Sequence, residues 1–105
     1  MEAMHFDDYD ILRFCRARKF VMEDVQLMWT NFVNWRKEND VENIIETFKY
    51  DEMAEVQKVY PHSYHKTDRK NRPIYIERFG MVTPAELWKV TTEERLIKHF
   101  IQSYE

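Results

Sequence analysis

Tyr64-His65-Lys66-Thr67-Asp68-Arg69-Lys70-Asn71-Arg72-Pro73-Ile74-Tyr75-Ile76-Glu77-Arg78-Phe79-Gly80 is the stretch that decides the fold of this 105-residue chain. Residues from about Ser63 to Thr67 and from Ile74 to Phe79 read as strands, and Asp68 to Arg72 between them includes Asp and Asn, which tolerate turn geometry. A hairpin is the simplest joining. Everything upstream reads as helix, so a second architecture begins near residue 61. Downstream, Leu96, Ile97, Phe100, Ile101 and Tyr104 still form an amphipathic helical pattern without a stop signal. The chain is therefore expected to be cut off inside a larger protein.

Upstream of the hairpin, Asp7 and Asp8 stand where an N-cap belongs, ahead of Ile11, Leu12, Phe14 and Cys15, and predict a short helix to about Lys19. From Met22 to about Lys37, Val25, Met28, Trp29, Phe32 and Trp35 fall three or four apart. That spacing predicts a longer helix with both tryptophans on one buried stripe. Asp40 and Asp51 are expected to cap two further short helices, one carrying Val41, Ile44, Ile45 and Phe48, the other Met53, Val56 and Tyr60 before Pro61. After the hairpin, Thr83-Pro84-Ala85-Glu86 reads as a capping box and Thr91-Thr92-Glu93-Glu94 repeats the signal, so two helices follow.

The fold class expected is thus α+β: a small helical bundle, then a β-hairpin and two helices that open a truncated α/β lobe. The boundary is placed between residues 1–60 and 61–105.

A content of 44% hydrophobic residues, 15% of all residues being aromatic, supports a modest core, and a net charge of -3 gives no overall field toward nucleic acid or anionic lipid. A single cysteine, Cys15, excludes an internal disulfide, and no ~20-residue apolar span is present. These features fit a reducing, cytoplasmic setting. There is no internal repeat, P-loop, G-x-G-x-x-G or H-E-x-x-H.

Four clusters invite a chemical reading. Arg13, Arg16, Arg18 and Lys19 read either as a polyanion patch or as a solvated helix face, and the poor aromatic interleaving favours the face. No nucleic-acid partner is expected. His62, His65 and Asp68 are of metal-ligand type, but strand residues three apart point to opposite faces, so no metal site is expected. Cys15 reads as a small buried hydrophobe, and no serine or cysteine has an identifiable base, so neither catalysis nor a cofactor is expected.

Trp35-Arg36-Lys37 differs, because two cations stand at the end of a helix on a rigid aromatic support. An arginine held in that way suits bidentate binding of a phosphate, although the pair equally suits capping of the helix end, and the residues alone leave both open.

Three blocks in this order resemble the CRAL-TRIO lipid-transfer family, and most of all its phosphatidylinositol/phosphatidylcholine transfer branch of the yeast secretory type. They are Leu12-Arg13-Phe14-Cys15-Arg16-Ala17-Arg18-Lys19-Phe20, Trp35-Arg36-Lys37, and Tyr60-Pro61 with Tyr64-His65-Lys66-Thr67-Asp68, Arg72-Pro73-Ile74-Tyr75 and Gly80, continuing through Lys89-Val90-Thr91 and Glu93-Glu94-Arg95. The resemblance spans about residues 7 to 105. It implies an N-terminal helical domain and the start of a lipid-binding domain in a non-enzymatic protein that carries phosphatidylinositol or phosphatidylcholine and visits membranes transiently. It further implies a cytoplasmic protein peripheral to endomembranes of Golgi type. By resemblance Arg36 and Lys37 bind the phosphate of the inositol lipid. The Asp68-Arg69-Lys70-Asn71-Arg72 turn departs from the Asp-Gly type common in relatives. The rival expectations are a helical protein-interaction module that handles no lipid, with self-association through a free sheet edge, and a nucleic-acid binder using the Arg13 to Lys19 face.

Overall fold

The structure, a computed structural model, describes residues 4–105. Six helices and one hairpin run in the order α1 (Asp8–Ala17), α2 (Met22–Glu38), α3 (Ile44–Thr47), α4 (Met53–Val59), β1 (His62–Thr67), β2 (Pro73–Glu77), α5 (Pro84–Val90) and α6 (Glu93–Tyr104). Single 3₁₀ turns at Val41–Asn43 and Phe79–Met81 complete the path. The α+β class expected from sequence is what the chain adopts. It divides into two compact units, one of residues up to Thr47 together with Glu105 and one of residues Phe48–Tyr104.

In the first unit α1 starts on a reciprocal capping box. The Asp7 carboxylate accepts from the Asp10 N–H at 2.9 Å, and the Asp10 carboxylate accepts from the Asp7 N–H at 3.0 Å. The two N–H groups that a helix start leaves orphaned are thereby satisfied. The core is aromatic: Phe14 of α1 meets Trp29 and Phe32 of α2 with ring centroids 4.9 and 5.0 Å apart, and Phe6 closes the cluster at 4.9 and 5.5 Å from the same two rings. Edge-on and tilted contacts of this kind add to plain area burial.

Trp35 does not join the stripe. It is 44% exposed, so the expectation of two buried tryptophans holds only for Trp29, which is itself half-buried. The period of α2 carries Trp35 past the arc that α1 covers, and Phe6, immediately before the α1 N-cap, fills the position instead.

The second unit is built on Val56 (0% exposed), Tyr60, Leu87 and Leu96, with Tyr50, Val59, Val82, Val90 and Phe100 packed around them. β1 and β2 pair antiparallel, His62 facing Glu77 and Tyr64 facing Tyr75, with a bulge between Tyr64 and Thr67 where Lys66 takes φ 56°. The connecting turn is closed by Asp68, whose carboxylate accepts from the N–H of Lys70 (2.8 Å) and of Arg72 (3.0 Å) while Asn71 sits at φ 61°. An aspartate and an asparagine do here what a glycine does elsewhere. β2 ends two residues earlier than expected, because Phe79 enters the 3₁₀ turn.

Three expected caps are absent. Asp40 adopts the left-handed region (φ 48°) and accepts from the Asn43 side chain at 2.7 Å rather than from a helical N–H. Asp51 is not the cap of α4, whose N-cap position is Glu52 without a side-chain bond, and Thr83 makes no side-chain bond at α5. Thr92 does cap α6, accepting from the Arg95 N–H at 3.2 Å.

Glu52 is turned instead toward Arg95, which it binds with both oxygens at 2.7 and 3.1 Å. Arg95 also donates to the Lys49 carbonyl at 2.9 Å and lies over the rings of Phe48 and Tyr50.

Two outcomes are expected. Leu87→Ala should cost about 3 kcal/mol of unfolding free energy through loss of buried area and the cavity left behind, read by urea denaturation. The hydrogen bond from Arg95, the largest influence, holds the Glu52 carboxyl below its ordinary value. A depressed carboxylate stabilises fully above its unfolded pKa and loses that contribution as pH falls through the folded one. The melting temperature should therefore drop more steeply below pH ~4.5 in the parent chain than in Arg95→Met, as scanned by circular dichroism.

Candidate functional site

The last turn of α2 carries Arg36 and Lys37, where the helix dipole favours cations. Asn39 secures the end: its backbone N–H and its side-chain amide both donate to the Trp35 carbonyl, at 3.1 and 2.9 Å. With the carbonyl at residue 35 occupied in this way, Arg36 is free to project as a side chain rather than fold back as a cap.

The Arg36 guanidinium is 15% exposed and is held by oxygens on two edges. Along one edge Nε donates to Glu42 Oε1 at 2.7 Å, and Nη2 lies at the same distance from that oxygen. Along the other, Nη1 and Nη2 donate to the two carboxylate oxygens of Glu105, each at 3.1 Å, in the parallel two-bond geometry that suits a planar anion. The aromatic cluster supports it, with the guanidinium carbon 5.6 Å from the Phe32 ring centroid and 5.9 Å from that of Phe6. Burial opposes the charge, but the hydrogen bonds and negative charge of Glu105 and Glu42 outweigh it, so the pKa of Arg36 lies above its already high ordinary value. The cation is permanent.

The structure thus puts Arg36 on a rigid aromatic support made by Phe6 and Phe32, not by Trp35. Lys37 is exposed and has no ion pair among the described residues. It does not converge with Arg36 on one acceptor. Neither Glu42 nor Glu105 was marked by the sequence as part of the site, since separations of 6 and 69 residues follow no helical or strand period. Phe6 directly precedes the α1 N-cap, where a staple would pack it on α1, but its ring contacts are with Trp29 and Phe32 of α2 instead.

The other clusters resolve differently. Arg13 pairs with Asp10 at 3.2 Å on the surface, whereas Arg16, Arg18 and Lys19 are exposed without an ion pair among the described residues. Cys15 is half-buried. His62 and His65 are separated by the alternation of β1, His62 buried and His65 exposed, and Asp68 is spent on its own turn. A cleft of about 410 Å³ in the second unit is lined by Gln57, Pro61, His62, Ser63, His65, Ile76 and Arg78. Of these residues, His65 and Arg78 are exposed whereas His62 is buried. No described helix is long and apolar enough to cross a membrane.

No protein-family model matches the sequence. Among curated proteins, the chain is 50% identical over 101 residues to the phosphatidylinositol/phosphatidylcholine transfer protein SFH9 of Arabidopsis thaliana, a match covering 96% of the chain and 17% of that protein. It is 50% identical over 99 residues to the SEC14 cytosolic factor of Eremothecium gossypii, covering 94% of the chain and 32% of the relative. With the Sec14 cytosolic factor of Schizosaccharomyces pombe it shares 42% over 99 residues, 35% of that protein. The chain therefore spans about a third or less of the length of these relatives. With two residues in five or more shared across nearly its whole length, the chain is similar to the matching part of these Sec14-type phosphatidylinositol/phosphatidylcholine transfer proteins.

Proposed function

We propose that the chain forms the helical domain (residues 1–60) and the opening of the lipid-binding domain (residues 61–105) of a protein that exchanges phosphatidylinositol and phosphatidylcholine between membranes. It works by binding, without covalent chemistry or a cofactor, and acts in the cytoplasm, peripheral to endomembranes of Golgi type. The names of its relatives support the ligand class, and "cytosolic factor" in two of them supports the compartment. In this reading apolar walls take the acyl chains out of water at about 0.8 kcal/mol per methylene, and the polar end of the lipid is recognised separately.

The observation that carries the headgroup role is the division of labour around Arg36. Glu42 grips one edge through a single oxygen and fixes the plane of the guanidinium. Glu105 occupies the other edge with the geometry a phosphodiester would take, through longer bonds and with a more exposed side chain. A lipid phosphate replaces Glu105, one anion for another, so the cation is never left bare and the exchange does not create an unpaired buried charge. Lys37, exposed beside it, adds a second positive charge near the incoming headgroup.

A second reading has its own support in the exposed apolar residues Ile74, Ile76, Phe79 and Met81 on and after β2, a surface on which another copy of the chain would sit. Sedimentation velocity across a hundredfold concentration range separates the two, since a lipid carrier of this kind sediments as a monomer.

In the complete protein, Arg36→Ala should lower phosphatidylinositol transfer between labelled vesicles about tenfold more than phosphatidylcholine transfer, the worth of one charged hydrogen-bond pair. Glu105→Gln, which weakens the competitor, should raise phosphatidylinositol affinity several-fold. Equal loss of both lipids in a folded Arg36→Ala protein rejects the headgroup assignment.

A further inference from the structure

Within the second unit, β1 and α6 are joined by two imidazoles. His62 opens β1 and is only 6% exposed; its Nδ1 lies 2.7 Å from the Tyr60 carbonyl oxygen, and its Nε2 lies 2.8 Å from Nε2 of His99 on α6. A carbonyl can only accept, so the hydrogen of neutral His62 is on Nδ1 and its Nε2 presents a lone pair. Nε2 of His99 must then donate. The heavy atoms alone fix both tautomers, which is uncommon for histidine. The pair is also packed: the His99 ring stacks on Tyr50 at 4.6 Å and 12°, and Phe100 lies 5.3 and 5.4 Å from the two imidazoles.

We propose that the His62–His99 pair is a proton-operated clasp between β1 and α6, which holds with one added proton and opens when both rings are charged. With a single proton the pair still has one donor and one acceptor across the Nε2–Nε2 contact, and the bond becomes charge-assisted. A second proton places an N–H on each nitrogen, so two donors and two like charges face each other at 2.8 Å with no lone pair between them. The rings then separate, and β1 is released from α6 at that point. This device is independent of Arg36 and of the lipid reading.

The groups around the pair are compatible with such a switch. From β2, Glu77 stands opposite His62 in register and accepts from the Tyr75 hydroxyl. Burial first, then the charge of Glu77, pushes the Tyr60 hydroxyl up to about 12, and the same two causes raise Tyr75, so both phenols stay neutral throughout the acid range. From β1, Tyr64 donates to the Ser103 carbonyl, and Tyr104 on α6 faces Tyr60 and Tyr75. On the far side of His99, Tyr50 is bonded to Thr91, with Glu52 and Arg95 beyond it paired to each other. From α4, Gln57 holds the His62 backbone through both of its amide atoms, at 2.6 and 3.1 Å, and is neutral. Among the described residues, Glu77 is the carboxylate set opposite His62 in register, and His99 has no ion pair.

Burial first, and the His62 imidazole second, hold His99 below the ordinary histidine value. Burial keeps His99 neutral to a lower pH than a free histidine, so the clasp is intact with no added proton or with one, and it opens below pH ~6.5 as the second proton is taken up.

Long-range ¹H–¹⁵N spectra of the imidazoles at pH 7.5 are expected to show His62 protonated on Nδ1 and His99 on Nε2, and titration to show two separated steps rather than one. Amide-exchange protection along β1 and α6, corrected for intrinsic rates, should fall about tenfold or more between pH 7.5 and 5 in the parent protein. It should stay flat in the double variant His62→Gln/His99→Asn, whose amides hydrogen-bond without titrating. The same loss of protection in both proteins overturns the clasp. So does His62 carrying its hydrogen on Nε2, or independent uptake of both protons near the ordinary value, and these last two readouts need only the parent chain.

Discussion

A guanidinium packed against a protein surface needs oxygens for its N–H groups and something flat beneath its face, and this chain supplies both twice, at the largely buried Arg36 and at Arg95, whose side chain is 39% exposed. Arg95 lies over Phe48 and Tyr50 with Glu52 on its edge, and Arg36 lies over Phe32 and Phe6 with Glu42 and Glu105 on its edges. The two differ in one respect that decides their roles. Arg95 also donates to the Lys49 carbonyl, a backbone acceptor that cannot leave without unfolding the segment, so this arginine ties α6 to the approach to α4. Among the described residues, the hydrogen-bond partners of Arg36 are side-chain carboxylates. One site is therefore tied to the backbone, while the other is held by side chains alone.

That contrast bears on energetics as well. Ion pairs at the surface contribute little, and the pairs Arg13–Asp10, Lys58–Glu55 and Lys89–Glu86, all on exposed faces, belong there. A pair that is mostly buried behaves differently, because removing one member strands the other. Arg36 avoids that penalty because it is paired with both Glu42 and Glu105.

Local signals were legible and distant ones were not. The aspartate N-cap of α1, the 3.6-residue period of α2, the strand–turn–strand pattern and the Thr92 cap of α6 each depend on neighbouring residues, and the sequence displays all of them, though not the return bond from Asp10 that completes the α1 capping box. Trp35 was misjudged because periodicity says which residues share a face but not how wide an arc the neighbouring helix covers. Asp40, Asp51 and Thr83 have the right side chains for caps, yet the hydrogen-bonding demand was met otherwise: by Asn43 at Asp40, and by backbone bonds to the Thr83 carbonyl at α5. Arg36 was legible as a cation on a helix end. Its two carboxylates were not, since long-range ion pairs leave no pattern along the chain, and the same holds for His62 finding His99 37 residues away.

Backbone strain links the turn after α2 to the site it serves. Five non-glycine residues, Lys19, Phe20, Asp40, Lys66 and Asn71, take positive φ, while the sole glycine, Gly80, does not. Each such residue costs on the order of 1 kcal/mol, and short polar side chains lessen the cost by bonding locally. Asp40 does so through Asn43, whose side-chain amide and backbone N–H both return to it, at 2.7 and 3.2 Å. The left-handed residue reverses the chain within two positions of the end of α2 and enters the 3₁₀ turn that carries Glu42 back to Arg36. Without that reversal, residues 36 and 42 would lie on different sides of a continuing helix, about 600° apart around its axis at 100° per residue. The edge of the guanidinium held by Glu42 is thus fixed by a strained turn, and the edge that the turn does not reach is the one bonded to Glu105.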